Sequence, residues 1–229
     1  MRAELLNAED HAKLRLAGSS GAVPHFIQIV LSEFRVAAAS CPVVLTKDAT
    51  TGEFYAGAML GFKPGEALRT TVGERAGFEP LNLIRDGFFV SGERIAIDRD
   101  NPRFSETSGD PMFGEDQQPS PQLRRVQRAL GELHEGIART QQFIQALNAL
   151  KLIEPIDVSL KFDSGEHLSL QGLYTVSMDG LRALPDAEVV KLVRSEYFQL
   201  ACVMNVSLTQ ISALAHVRSQ RVLENPVSF

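Results

Sequence analysis

Ser120-Pro121-Gln122-Leu123-Arg124-Arg125-Val126-Gln127-Arg128-Ala129-Leu130, continued to Leu152, is the stretch that decides the fold. Ser120 offers a hydroxyl to a first-turn N–H, and Pro121 has no N–H to leave unpaired at the first helical position. Leu123, Val126, Leu130, Leu133, Ile137, Thr140, Ile144 and Leu147 then recur at spacings of three and four, an a/d stripe along one helical face. A helix from Ser120 to about Leu152 is roughly 45–50 Å long at 1.5 Å per residue. An apolar stripe of that length must be covered. Packing against the chain's own sheet and C-terminal helices is the simpler expectation, and a homodimer seam through 123–147 is the alternative.

Outward from this helix, the sequence on its N-terminal side is strand-rich. Phe26 to Ala39 has apolar residues at helical spacing after Pro24 and is expected to be helical until Cys41-Pro42. Val43-Val44-Leu45 and Phe54–Phe62 predict a hairpin turning at Thr51-Gly52, and Lys63-Pro64-Gly65-Glu66 a further turn. Phe88-Phe89-Val90 and Arg94–Ile97 predict a second hairpin about Ser91-Gly92, so 42–98 reads as a small meander. On the C-terminal side, Ile156, Val158, Leu160 and Phe162 alternate with polar residues, and Asp163–Glu166 turns the chain into His167–Leu170. Leu173–Val176 is expected as a third strand. Helices follow over Met178–Leu184, Pro185–Val193, Glu196–Met204 and Leu208–Val217. The expected architecture is α+β in one 1–229 domain: strand-rich 1–98, a loop over 98–119, helix-rich 120–223, and a loose tail at 224–229.

Composition narrows the function classes. With 229 residues the chain is long enough for a buried core, and its net charge of −5 and pI near 5.6 disfavour binding to nucleic acid phosphates. No uninterrupted apolar run approaches the ~20 residues of a bilayer span, so no transmembrane segment is expected. Acidic residues at Glu4, Glu9 and Asp10 interrupt the place where a signal peptide needs an apolar core, which predicts a cytoplasmic protein. Cys41 and Cys202, far apart in apolar surroundings, are expected as buried reduced thiols.

No nucleophile elbow, phosphate-binding loop or dinucleotide fingerprint occurs. His11, His25, His134, His167 and His216 form no local metal-ligand pair, so no metal and no cofactor is predicted. Asp98-Arg99-Asp100 begins like a calcium loop, but Pro102 and Arg103 stand where that loop must bend. Charge is nonetheless concentrated there. Residues 98–116 hold Asp98, Asp100, Glu106, Asp110, Glu115 and Asp116 against Arg99 and Arg103, while Arg124, Arg125 and Arg128 crowd a helix start whose dipole disfavours cations. Two readings stand: the acidic loop folds over the helix start, or the junction recognises a peptide or protein partner through Asp98, Asp100, Arg103, Ser105, Glu106, Arg124 and Arg125. His11 and Arg15 are secondary candidates as a titratable pair, and Arg85 as a buried arginine pairing a loop acid.

Several of these pieces resemble the bacterial SapC family, named after a component associated with a paracrystalline surface layer. They are Asn7–Leu16 with His11 and Arg15, Cys41–Asp48 running into Thr51-Gly52-Glu53-Phe54, and Leu60–Glu66. Ile97-Asp98-Arg99-Asp100-Asn101-Pro102-Arg103-Phe104-Ser105, Pro119-Ser120-Pro121, Gly172-Leu173-Tyr174 and Ala183-Leu184-Pro185-Asp186 complete the pattern. The chain departs from it in having no tryptophan before Phe78-Glu79-Pro80. The resemblance implies an accessory role in uptake or modification of an envelope-related substrate and carries over no catalytic residue. A non-enzymatic accessory or binding protein is therefore expected. The alternative is a metal-dependent enzyme whose dispersed histidines and carboxylates meet in a pocket.

Overall fold

The computed structural model describes residues 2–18, 24–66, 68, 78–162 and 165–224. Its elements run β1 (Ala3–Leu5), β2 (Arg15–Leu16), β3 (Phe26–Gln28), a 3-10 turn (Leu31–Glu33), α1 (Phe34–Ala38), β4 (Val43–Lys47) and β5 (Phe54–Met59). Then come α2 (Leu81–Ile84), β6 (Phe88–Ser91), β7 (Arg94–Asp98), β8 (Phe104–Ser105), β9 (Asp110–Pro111) and α3 (Pro121–Ala149). The chain closes with β10 (Ile153–Lys161), β11 (His167–Val176), α4 (Met178–Arg182), α5 (Asp186–Arg194), α6 (Tyr197–Ser207) and α7 (Gln210–Glu224). Three antiparallel sheets with helices make an α+β protein.

The chain forms two compact units, 1–22 with 79–135 and 23–78 with 136–229. In the first, β1-β7-β6 form one sheet and β8-β2-β9 a second, smaller one. Leu14, Leu16, Phe88, Ile97, Phe104 and Met112 form its core with Leu123, Val126 and Leu130 of α3. In the second, a five-stranded sheet has the order β10-β11-β4-β5-β3. Val44, Met59, Phe62, Phe162 and Leu173 pack there with Ile211 and Leu214 of α7, while α6 packs against α1, β4 and β11.

The helix read from 120–152 is present, with Ser120 Oγ accepting the Leu123 N–H at 3.2 Å. Its stripe is buried within the single chain, except that Ile137 is 55% exposed and Gly136 is buried in its place. Gly136 is required there, since a Cβ would lie 2.7 Å from Val30.

Elsewhere the structure corrects the expectations. Of the helix expected over Phe26–Ala39, Leu31–Ala38 is helical but Phe26–Gln28 is a strand: Ile27, Ile29 and Val30 are β-branched, and β3 pairs with β5 in the register Phe26↔Met59, Gln28↔Gly57. The 42–98 meander does not form, because β4 and β5 belong to the five-stranded sheet while β6 and β7 join β1 in the other unit. The 98–119 loop contains β8 and β9, each pairing with β2. Leu173–Val176 continues β11 past a bulge at Gln171-Gly172, where Gly172 has φ +74°, rather than forming a third strand. Cys41 is buried, Cys202 is half-buried, and both are free thiols. Asp163, Ser164 and the tail from 225 lie outside the described residues.

Among the described residues one helical stretch, Tyr197–Arg221, is long and apolar enough by length and composition to cross a membrane. Counting uninterrupted apolar residues missed it because Asn205, Ser207, Thr209 and Gln210 break the run. In the fold this stretch is α6 and α7. Leu200, Ala201, Met204, Ile211 and Leu214 are buried, and Ser207 Oγ accepts the Val43 N–H at 2.8 Å.

Candidate functional site

The charged junction in the first unit proves to be a knot of internal bonds. Arg103 is 8% exposed, and its Nη1 donates to the carbonyls of Leu83, Ile84 and Asp86 at 3.2, 3.2 and 2.9 Å. It thereby caps the C-terminal end of α2 and the turn after it, adding to the Asp86 N–H that the Leu83 carbonyl already accepts. Burial pushes the Arg103 guanidinium below its ordinary pKa against the pull of Asp86 and Glu79, and Arg125 pushes the same way as burial. Its Nε has no hydrogen-bond partner among the described residues. Asn101 Oδ1 accepts the Arg103 N–H, and Asn101 Nδ2 donates to Asp86. Gly87, at φ +81°, lets Phe104 and Asn101 approach, because a Cβ there would sit 2.9 Å from the Phe104 ring.

The other candidates are likewise occupied or scattered. Asp98 Oδ1 accepts from the Arg2 N–H at 2.9 Å and the Asp100 N–H at 3.3 Å, tying β7 to the N-terminal segment. Ser105 Oγ accepts from the N–H groups of Thr107 and Ser108, so it organises a turn. Glu106 pairs with Arg99 at 2.6 Å. Arg125 pairs with Glu79, not with a loop acid. Arg85 donates to Asn82 Oδ1 at 2.9 Å, which replaces the expected loop carboxylate by a side chain within its own helix turn. His11 is buried, with Nε2 3.3 Å from Glu4, whereas Arg15 donates to the Gly109 carbonyl at 2.8 Å, so the two do not act as a pair. Arg124 and Arg128 line a shallow groove of about 580 Å³ with Pro121 and Gln127 and have no carboxylate partner among the described residues. Most of the charged and polar groups in the block that carries the family resemblance are thus engaged within their own unit.

A different arrangement occurs in the second unit. A cleft of about 460 Å³ is lined by His25 and Phe26 of the β3 end, Thr46 of β4, and Tyr55 and Met59 of β5. Gly61 and Phe62 follow β5, and β11 contributes Ser169, Leu170, Gln171 and Leu173. Strand pairing sets these in place: Thr46 is opposite Tyr55 across β4 and β5, and Phe26 is opposite Met59 across β3 and β5. The Phe26 ring lies over Gly57, where a Cβ would come within 2.1 Å of it, and meets Tyr55 edge-on with centroids 6.1 Å apart. The His25 carbonyl accepts from the N–H groups of Leu60 and Gly61, which fixes the backbone beneath its ring. Thr46 Oγ1 donates to the Gly172 carbonyl at 2.9 Å, anchoring the bulge beside Gln171. The side chains of His25, Tyr55, Ser169 and Gln171 make no hydrogen bond among the described residues. No Asp, Glu, Lys or Arg is among the described lining residues.

Near the cleft in sequence, Lys63, Glu66 and Glu166 are paired with Arg218 or with one another. Arg218 of α7 is buried over the Phe162 ring and reaches Glu66 at 2.5 Å and Glu166 at 2.9 Å, and Lys63 also pairs with Glu166. Hydrogen bonds from Arg218 and Lys63 hold the Glu166 carboxyl down to about 2. For Arg218, burial works against the charge, but the two carboxylates outweigh it and raise its pKa. This clamp fastens α7 to the turn after β5 and to the start of β11.

Sequence reasoning missed the cleft because its residues come from four separate segments and share no motif or charge. Its one legible signal is neutral polar residues interleaved with aromatics at strand ends. Among the described residues no group of three or more His, Cys, Asp or Glu side chains comes together to hold a metal. No curated protein and no solved structure matches the chain. The SapC family model matches residues 6–214, and the chain belongs to that family.

Proposed function

We propose that this protein is a non-catalytic binding protein serving an envelope- or uptake-related system, and that its ligand site is the cleft of the second unit. One observation carries the reading: four hydrogen-bonding side chains without partners among the described residues surround a floor of Phe26, Met59, Phe62 and Leu173. Concave sites of a few hundred Å³ with an apolar lining and a few convergent polar groups are the usual form of small-molecule sites. Membership of the SapC family, named after a surface-layer-associated component, supports the accessory setting. A second reading places a charged protein partner on the first unit, favoured by Arg124 and Arg128 along the groove of α3.

Equilibrium dialysis against a bacterial small-molecule extract, analysed by mass spectrometry, tests the cleft without assuming a ligand. The wild-type chain is expected to enrich at least one compound that Ser169→Trp, which fills the rim, does not. Identical profiles for the two proteins would remove the reading.

A further inference from the structure

We propose that the cleft takes a neutral saccharide, an inference that rests on reading the cleft as a binding site. The first argument is charge. No ionic residue is among the described lining, so no described side chain there would compensate a charged ligand for the hydration it sheds. The charged side chains nearby in sequence, Lys63, Glu66 and Glu166, are engaged with Arg218 and one another.

The second argument is the kind of polar group present. The Tyr55 and Ser169 hydroxyls, the Gln171 amide and the His25 imidazole each offer both a donor and an acceptor. A wholly apolar ligand would cover these groups and leave them unpaired, which is costly. A ligand bearing only acceptors would satisfy half of their capacity. Hydroxyl groups donate and accept in the same way, so a polyol matches the set.

Shape supplies the third argument. Phe26 and Tyr55 present an edge-on aromatic wall, and Met59, Phe62 and Leu173 continue it as an apolar floor. A sugar ring has an apolar C–H face bordered by hydroxyls, the same pairing of surfaces. Gly57 makes the wall possible, because any side chain there would displace the Phe26 ring. Ser169 and Gln171 are solvent-exposed, so the cleft opens at that rim.

Calorimetric titration of the full chain tests the assignment with maltose, cellobiose and N,N′-diacetylchitobiose. Glucuronic acid, glucosamine and a blocked dialanine amide are the comparators. At least one neutral disaccharide is expected to bind. Tyr55→Phe and Gln171→Ala should each weaken it about fivefold, the worth of one net hydrogen bond, at unchanged thermal stability. Ser169→Trp should abolish it. Binding of a neutral disaccharide that is indifferent to all three substitutions overturns the proposal. So does a comparator that binds in a Ser169→Trp-sensitive way while no neutral disaccharide does, but that result leaves the cleft as a binding site. Failure of every titrant, together with identical dialysis profiles for wild type and Ser169→Trp, overturns both readings.

Discussion

The two units treat their polar side chains in opposite ways. In the first, Asp98, Arg103, Ser105, Glu106 and Arg125 are densely charged or polar, and each is bonded to another part of its own unit. In the second, the cleft has no charge among its described lining, yet His25, Tyr55, Ser169 and Gln171 have no hydrogen-bond partner there. Charge density marks where a chain must be held together as readily as where it meets something else. Neutral polar side chains gathered around an apolar floor and not engaged by the protein itself point more directly to a ligand.

The largest effect that would break this contrast is at Arg103. Arg103→Met removes the guanidinium from the carbonyls of Leu83, Ile84 and Asp86, of which Leu83 keeps the Asp86 N–H, and should cost about 3 kcal/mol in urea unfolding. A change within about 0.5 kcal/mol, the usual size for surface substitutions, would show the junction to be an open surface after all. Next comes Gly57→Ala, whose methyl group collides with the Phe26 ring. It should cost about 1–3 kcal/mol, as overpacking does, and lose the compounds enriched by wild type in dialysis.

A third effect separates the clamp from the cleft. Glu166 has its carboxyl held from an ordinary 4.5 to about 2 by Arg218 and Lys63. A depressed carboxyl pKa contributes stability that is complete above the unfolded value and lost as pH falls through the folded one. Wild-type stability should therefore fall between pH 4.5 and about 2, and Arg218→Met should have a flatter profile in that window. Matching slopes in thermal melts across that range would count against the clamp. The smallest effect is at the groove of α3. Arg124→Glu should change stability by under about 0.5 kcal/mol and leave dialysis enrichment intact. A lost compound would move the ligand site to the first unit.

How much of this was legible depended on whether a signal was local. The cap at Ser120, the stripe of α3 apart from Ile137, both hairpin turns and the β10–β11 pair are set by residues a few positions apart, and they form as the spacing implies. Phe26–Val30 was misread because its apolar spacing suits a helix, while its pairing with β5 and the space above Gly57 are long-range facts. The interleaving of the two units was also hidden, since 23–78 and 136–229 give no local sign of belonging together. Charge was visible at 98–125, but its partners were not. Arg103 turns to backbone carbonyls and Arg125 to Glu79, neither of which a count of opposite charges could find.

Amide chemical-shift mapping during titration with the small-molecule extract compares the two units in one experiment. The account predicts shifts concentrated at residues 25–28, 44–46, 55–62 and 169–173, with 98–106 and 121–128 unmoved. Shifts confined to 98–106 and 121–128, with the cleft silent, would contradict it.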